Sequence, residues 1–122
     1  MSPLWLSFCL AIIPLAADDE KQDLSVLYIG DPGNERGQAF CDFLEAQFAD
    51  VKSVHRDDFE SGMEPDFDVA LLDWGQYDID NRQLSKLTSP IGSRDDFETP
   101  LVLLGSAGLL ISVPWQTNGS WG

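Results

Sequence analysis

The stretch Phe67-Asp68-Val69-Ala70-Leu71-Leu72-Asp73-Trp74 is a short apolar run that ends in a carboxylate. Its four central residues carry no polar side chain, and a continuous run of this length is typical of a strand buried on both faces, as in a parallel sheet flanked by helices. Asp73 would then lie at the carboxyl end of that strand, where open α/β sheets bind their ligands. The stretch therefore predicts an α/β fold and marks the place where a site should be sought.

A strand, a turn and a helix precede this stretch. Residues 24–29 are rich in β-branched and aromatic side chains, and residues 30–37 are dense in turn formers. The glycines at 30, 33 and 37 match neither the dinucleotide fingerprint nor a P-loop. Beyond the turn, apolar residues recur at the spacing of an amphipathic helix: Phe40, Phe43, Leu44 and Phe48. This order of elements is the beginning of a βαβ unit.

The remaining sequence predicts further elements of the same kind. We expect a weak strand at 51–55, a strand at 100–104, and between them a short helix that begins near Asp80 or Asn81 and buries Leu84 and Leu87. Residues 109–113 are apolar and fit either a fifth strand or the start of a helix. Four strands with two or three helices fall short of a complete doubly wound domain, so we expect the domain at 24–122 to be incomplete at its C-terminus.

The net charge excludes some classes of partner. The 122 residues carry a formal charge of −14, and the acidic side chains are spread from Asp18 to Glu98. Such a chain repels nucleic acid and anionic membrane surfaces, so neither is expected as a partner. A content of 43% hydrophobic residues is enough for one packed domain.

The first residues predict export. Residues 1–17 are uncharged, largely apolar and end in small side chains, and acidic residues follow from Asp18. An apolar segment this short is typical of a secretory signal peptide, since a spanning helix needs about 20 residues. We therefore expect a signal peptide at 1–17, a polar leader at 18–23, a secreted or periplasmic location, and no stable membrane insertion after cleavage. An uncleaved anchor and a buried first strand are the alternatives.

Cysteine and histidine are too scarce for several kinds of active site. After signal removal only Cys41 remains, so an intrachain disulfide is impossible. Cys41 lies beside the apolar stripe of the predicted helix, and we expect a buried, unreactive thiol packed against Phe43 and Leu44. His55 is the one histidine in the sequence, which rules out a multi-histidine metal site.

Polar residues and glycines follow three of the predicted strands. The carboxyl ends of parallel strands meet at one edge, so a ligand-binding group is expected there, formed by Gly30, Asp31, Asp73 and Ser106. Asp31 and Asp73 are the predicted metal ligands, because two carboxylates can hold a hard divalent cation such as Mg²⁺. No other cofactor is indicated. The alternative for Asp73 is that it accepts hydrogen bonds from the backbone of a neighbouring turn.

The same strands resemble those of a signalling family. Residues 26–31, 67–74 and 99–106 are similar, in order and separation, to the first, third and fourth strands of response-regulator receiver domains. This resemblance implies that Asp73 accepts a phosphoryl group, that Asp31 binds a metal ion and that Ser106 is the switch hydroxyl. Gly30 stands where receivers usually have a second acidic residue, and the late lysine of the family has no counterpart in this sequence.

A second resemblance agrees better with export. The strand at 24–29, the turn and helix after it, the run at 67–72 and the late Gly105-Ser106-Ala107-Gly108 are similar to flavodoxin-like domains of the class I glutamine amidotransferase-like superfamily. That superfamily includes secreted trehalose-utilisation-like members, and the resemblance implies a flavodoxin-like three-layer α/β sandwich with a mainly parallel sheet. Active members carry a nucleophilic cysteine at a strand-to-helix elbow, whereas Cys41 falls inside the first helix. The implied function is a non-catalytic domain that binds a ligand or serves as a scaffold in a larger amidotransferase-like protein, with its ligand or protein partner unidentified.

Overall fold

The computed structural model describes residues 20–76 and 88–117. In chain order, its elements are β1 (Gln22–Gly30), α1 (Glu35–Gln47), β2 (Phe48–His55), β3 (Val69–Trp74), a 3₁₀ helix (Arg94–Asp96), β4 (Leu101–Gly105) and α2 (Ala107–Ser112). The predicted signal peptide and the helix expected near Asp80 lie outside the described residues. None of the helices within the described ranges is long and apolar enough to cross a membrane.

The four strands form one sheet in the order β2-β1-β3-β4, and each neighbouring pair is parallel. This is the beginning of the 2-1-3-4-5 strand order of flavodoxin-like folds. β1 is central and pairs with both neighbours, so that Leu27 is in register with Lys52 of β2 and with Ala70 of β3. The predicted fold class, a flavodoxin-like α/β sandwich with a parallel sheet, is therefore confirmed.

Side chains from the strands fill a core on each face of the sheet. On one face, Val26 and Tyr28 of β1 pack with Cys41 and Leu44 of α1. The alternate residues of β1, Leu27 and Ile29, face a larger core on the other side, which is completed by α2 and by the loop before β4. Because both faces are covered, every position of the central strand segment must be apolar, which explains the continuous runs in the sequence.

The first helix and the second strand differ from their predicted bounds. α1 ends at Gln47 and Phe48 begins β2, so Phe48 belongs to an eight-residue strand and not to the helical stripe. Phe43, which was predicted in the buried stripe, is 60% exposed. The helix contacts the sheet through a different set of positions, spaced four and three residues apart: Gly37, Cys41 and Leu44. Gly37 belongs to this buried set because a residue without a side chain lets the helix backbone approach the end of β1 closely. A search for large apolar residues at helical spacing does not detect such a position.

Two further boundaries are decided by the structure. Gln22 and Asp23, which the sequence places in the polar leader, belong to β1, where Gln22 pairs with Phe48 and a register shift follows between Gln22 and Ser25. The ambiguous apolar segment at 109–113 begins in a helix, because residues 107–112 form α2 and Val113 follows its last residue. This helix buries three side chains against the sheet: Ala107, Leu110 and Ile111.

Candidate functional site

The carboxyl ends of the strands meet at one edge of the sheet, which we call the carboxyl edge. The chain passes from β1 to β2 on one side of β1 and then to β3 on its other side. The point where the strand order reverses therefore lies between β1 and β3. Open α/β sheets bind ligands in the crevice outside this point, so the side chains at the ends of β1 and β3 are those that matter most for a site.

Asp73 is the buried carboxylate of the carboxyl edge, with 3% of its surface exposed. Arg36 of α1 holds it through two nitrogens: Nη2 lies 2.8 Å from Oδ1, and Nε lies 3.0 Å from Oδ1 and 3.2 Å from Oδ2. The hydroxyl of Tyr28, on β1, donates a hydrogen bond to Oδ2 at 2.6 Å. A buried carboxylate must be paired and hydrogen-bonded to be tolerated, and these two side chains meet that need. We call Tyr28, Arg36 and Asp73 the Asp73 network.

Gly30 makes room for the tyrosine of this network. It follows Ile29, which is in register with Leu72, and so it lies beside Asp73. A Cβ at position 30 would lie 2.6 Å from the hydroxyl oxygen of Tyr28, which is too close for two non-bonded atoms. The hydroxyl reaches Asp73 because position 30 has no side chain. Burial raises the pKa of Tyr28 far above its usual range, and the hydrogen bond to Asp73 raises it further, so Tyr28 stays a proton donor in this bond.

The start of α1 positions Arg36. Asn34 caps the helix, because its Oδ1 accepts a hydrogen bond from the Gly37 amide at 2.7 Å. Gly37 packs so closely against the carbonyl oxygen of Asp31 that a Cβ would overlap it. The guanidinium of Arg36 then lies over the Phe40 ring, 5.1 Å from its centroid, and 43% of the side chain is exposed. Arg36 thus connects a buried carboxylate to the solvent-facing side of the crevice.

Asp31 lies at the carboxyl edge, and its side chain contacts the turn after β1 and the end of β2. Its Oδ1 accepts a hydrogen bond from the Gly33 amide at 3.1 Å, which shapes the turn after β1. The same oxygen lies 3.8 Å from Nε2 of His55, at the end of β2. Nδ1 of His55 in turn accepts a hydrogen bond from the Asp57 amide at 3.1 Å. Asp31 therefore organises its own turn and its contact with β2.

Ser106 joins the edge through its backbone. Its amide donates to the carbonyl oxygen of Trp74 at 2.7 Å, where β4 ends and α2 begins, and its hydroxyl makes no capping hydrogen bond. The preceding Gly105 has a φ of 63°, and a Cβ there would press on the same carbonyl and approach Arg36. The backbone of this turn therefore lies against the end of β3 and close to Arg36 of the Asp73 network.

The predicted site residues Gly30, Asp31, Asp73 and Ser106 all lie at the carboxyl edge, and their role in binding stays a prediction. The charge of Asp73 is balanced by Arg36, so no divalent ion is needed to neutralise it. Within residues 20–76 and 88–117, no group of three or more His, Cys, Asp or Glu side chains could hold a metal ion. The pairing of Asp31 with Asp73 around Mg²⁺ likewise stays a prediction, and it goes with the resemblance to receiver domains.

Sequence reasoning missed Tyr28 and Arg36 as partners of Asp73. Two signals could have found them. A tyrosine inside an apolar strand carries a hydroxyl that needs a polar partner when it is buried. An arginine in the first turn of the helix after β1 must lie near the carboxyl edge, because that is where the helix begins. The buried aspartate is the polar group that both of them need.

Cys41 lies on the buried side of α1, as predicted. It is 5% exposed and packs with Val26, Tyr28 and Leu44. Burial raises the pKa of its thiol, which lowers its reactivity. Phe43, which was expected beside it, points into solvent. The thiol is thus a core group in the middle of a helix and does not stand at a strand-to-helix elbow.

Comparisons with protein-family models, with curated proteins and with solved structures found no match for this chain. The kind of site must therefore be argued from the side chains themselves. At the carboxyl edge these are a neutralised carboxylate, a half-exposed guanidinium and a protonated phenol. Such a set can bind and orient a ligand, but its carboxylate is already occupied by neighbouring side chains.

Proposed function

We propose that this chain is a non-catalytic α/β module of a secreted or periplasmic protein, which binds a ligand or serves as a scaffold within a larger protein of the class I glutamine amidotransferase-like type. The observation that carries this proposal is the Asp73 network, in which Arg36 and Tyr28 hold both carboxylate oxygens. A carboxylate that attacks a phosphoryl group or ligates a cation needs an open lone pair and access to solvent. The carboxylate of Asp73 is buried, and both of its oxygens already accept hydrogen bonds from Arg36 or Tyr28.

The carboxyl edge is the binding side under this proposal. Besides Arg36, the edge carries Arg56, whose guanidinium stacks on the Trp74 ring at 4.3 Å, and His55 at the end of β2. In a chain with a net charge of −14, the two guanidinium groups bring positive charge to this edge. The floor of the crevice would be formed by the predicted ligand-binding residues: Gly30, Asp31, Asp73 and Ser106.

The burial of Cys41 supports the non-catalytic part of the proposal. An amidotransferase nucleophile must be a reachable thiolate, whereas Cys41 is 5% exposed and has a raised pKa. We expect the purified chain to release no ammonia from glutamine, and the Cys41→Ser variant to behave identically. Ammonia release by the native protein that is lost in Cys41→Ser would overturn the non-catalytic assignment.

A receiver-like function is the second candidate, because Asp73 stands at the carboxyl end of β3 in a sheet with the strand order 2-1-3-4. Incubation with acetyl phosphate and Mg²⁺, followed by intact-mass spectrometry, separates the two candidates. We expect no phosphoryl adduct on the native protein, and a melting temperature that does not respond to Mg²⁺. An adduct, or a Mg²⁺-dependent rise in melting temperature, that is lost in Asp73→Asn would favour the receiver-like function and overturn our proposal.

The secreted or periplasmic location is proposed from residues 1–17, which lie outside the described residues. The test is to express the full reading frame in a secreting host and to determine the N-terminus of the product by mass spectrometry. We expect a mature chain that begins near Ala17 or Asp18. A protein that is retained in the cytoplasm with Met1 intact would contradict export, whatever the outcome of the phosphoryl-transfer test.

A further inference from the structure

A cavity of about 590 Å³ lies away from the carboxyl edge, between residues 88–95 before β4 and residues 114–116 after α2. It is on the face of the sheet opposite α1, because Trp115 packs against the core that α2 completes. Small-molecule sites usually measure about 300 to 1,000 Å³, so the volume is sufficient for a ligand. We call it the Arg94 cavity, after the cationic side chain that lines it.

Hydrogen bonds and ring contacts hold the two walls of the Arg94 cavity together. The indole nitrogen of Trp115 donates to the carbonyl oxygen of Gly92 at 2.9 Å, and its ring lies 5.5 Å from that of Phe97. Gln116 has a φ of 53°, a strained backbone conformation for a residue with a Cβ. Strain of this kind accumulates at ligand sites, where the surrounding structure maintains it. The cavity is therefore a built feature and does not depend on a single loop.

Arg94 and Asp95 both line this cavity and carry opposite charges. Nη1 of Arg94 lies 3.5 Å from the carbonyl oxygen of Trp115, and within the described part of the chain Arg94 forms no ion pair. The Asp95 amide donates to the Ser93 hydroxyl at 3.3 Å, which fixes the backbone between the two charges. Both charged side chains are exposed, so each can reach a ligand.

The two charges together define the ligand class. A simple anion would approach a protein of charge −14 against net repulsion and would then meet Asp95. A simple cation would meet Arg94. A zwitterion carries no net charge and can satisfy both groups at once, and the indole of Trp115 offers an apolar surface beside them.

We propose that the Arg94 cavity binds a free amino acid with an apolar side chain. The ligand carboxylate pairs with Arg94, the ligand ammonium pairs with Asp95, and the ligand side chain lies against Trp115. Guanidinium and carboxylate form charge-assisted, directional pairs. Ser89 also lines the cavity; its hydroxyl oxygen accepts a hydrogen bond from the Ile91 amide at 3.2 Å, and its O–H can donate to the ligand carboxylate. This site shares no residue with the carboxyl edge and does not depend on the function proposed above.

The indole N–H resonance of Trp115 is the reporter for the test, because this group lies in the cavity wall. It is identified in the ¹H–¹⁵N spectrum of the native protein by its loss in Trp115→Phe. L-phenylalanine is the probe, and we expect a saturable shift of this resonance. Two matched compounds each lack one charge: 3-phenylpropionate has no ammonium and phenethylamine has no carboxylate. Each should bind at least about 10-fold more weakly, since each loses a charge-assisted pair.

Substitutions in the protein complete the test. Arg94→Gln and Asp95→Asn should each weaken the binding of L-phenylalanine at least about 10-fold. The remaining resonances in the spectrum of each variant report whether its fold is intact. Lys52→Gln removes the same charge as Arg94→Gln from an exposed position of β2 and should leave the affinity unchanged. No saturable shift with L-phenylalanine would overturn the proposal. Equal affinity for 3-phenylpropionate, or an equal loss in Lys52→Gln, would also overturn it, because neither result is compatible with a zwitterion held between Arg94 and Asp95.

Discussion

The Asp73 network predicts that its two charged members are unequally important for stability. Arg36→Met keeps an apolar stem beside Phe40 but leaves the Asp73 carboxylate, 4% exposed, without its cation. Removing one partner of a buried ion pair costs about 3–5 kcal/mol. Because Arg36 itself is 43% exposed and partly screened by water, we expect the lower end of that range, about 3 kcal/mol.

The reverse substitution should cost less. Asp73→Asn leaves behind only the half-exposed guanidinium of Arg36, which water can solvate, and an amide oxygen that still accepts the Tyr28 hydroxyl. We expect a loss of about 1 kcal/mol in the free energy of unfolding, the usual value of one weakened hydrogen bond. In the double variant Arg36→Met/Asp73→Asn no unpaired charge is buried. The decrease in its free energy of unfolding should therefore be about 2 kcal/mol smaller than the sum of the decreases in the two single variants.

Urea unfolding followed by tryptophan fluorescence measures all four proteins of this cycle. In a thermal melt, the loss for Arg36→Met corresponds to a decrease in Tm of about 12–24 °C for a domain of this size. Lys52→Gln is the control, since it removes an exposed positive charge and should change stability by less than about 0.5 kcal/mol. Equal losses for Arg36→Met and Asp73→Asn, or additive losses in the double variant, would refute the argument that the bare carboxylate is the costly species.

Three further predictions concern buried polar groups. The folded protein holds the pKa of Tyr28 above that of an unfolded tyrosine, so its contribution to the free energy of unfolding is complete below about pH 10 and decreases above that pH by about 1.4 kcal/mol per pH unit. Tyr28→Phe should remove this alkaline slope from the urea midpoints, and an unchanged slope would contradict the assignment. Glu64 is fully buried, and within the described chain neither carboxylate oxygen has a hydrogen-bond partner. Glu64→Met should therefore raise the free energy of unfolding in urea by about 1–3 kcal/mol, and a decrease would show that the carboxylate is stabilising. Cys41 should react slowly with a thiol reagent at neutral pH in the native protein and rapidly after denaturation, because burial raises its pKa; rapid labelling of the native protein would mean that the thiol is accessible.

The sequence alone was enough to predict the sheet. The apolar run at 69–72 predicted a strand buried on both faces, and residues 24–29 predicted a second strand; the two form the central pair β3 and β1. The strand, turn and helix at the start predicted a βαβ unit, and with it parallel pairing. From these local patterns Asp31 and Asp73 could be placed at one edge of the sheet before any contact was known. Helical spacing was less informative, because it selected the exposed Phe43 along with the buried Leu44.

Only the tertiary structure decided which groups meet at that edge. Tyr28 and Arg36 are 45 and 37 residues away from Asp73 in the chain, and their contacts depend on the register of β1 with β3 and on the missing side chain at Gly30. The Arg94 cavity likewise needs two segments that β4 and α2 separate in the sequence. Periodicity shows which face of an element is buried, because that depends on spacing within the element. The pairing of polar side chains depends on how the elements are placed against one another, which no local pattern contains.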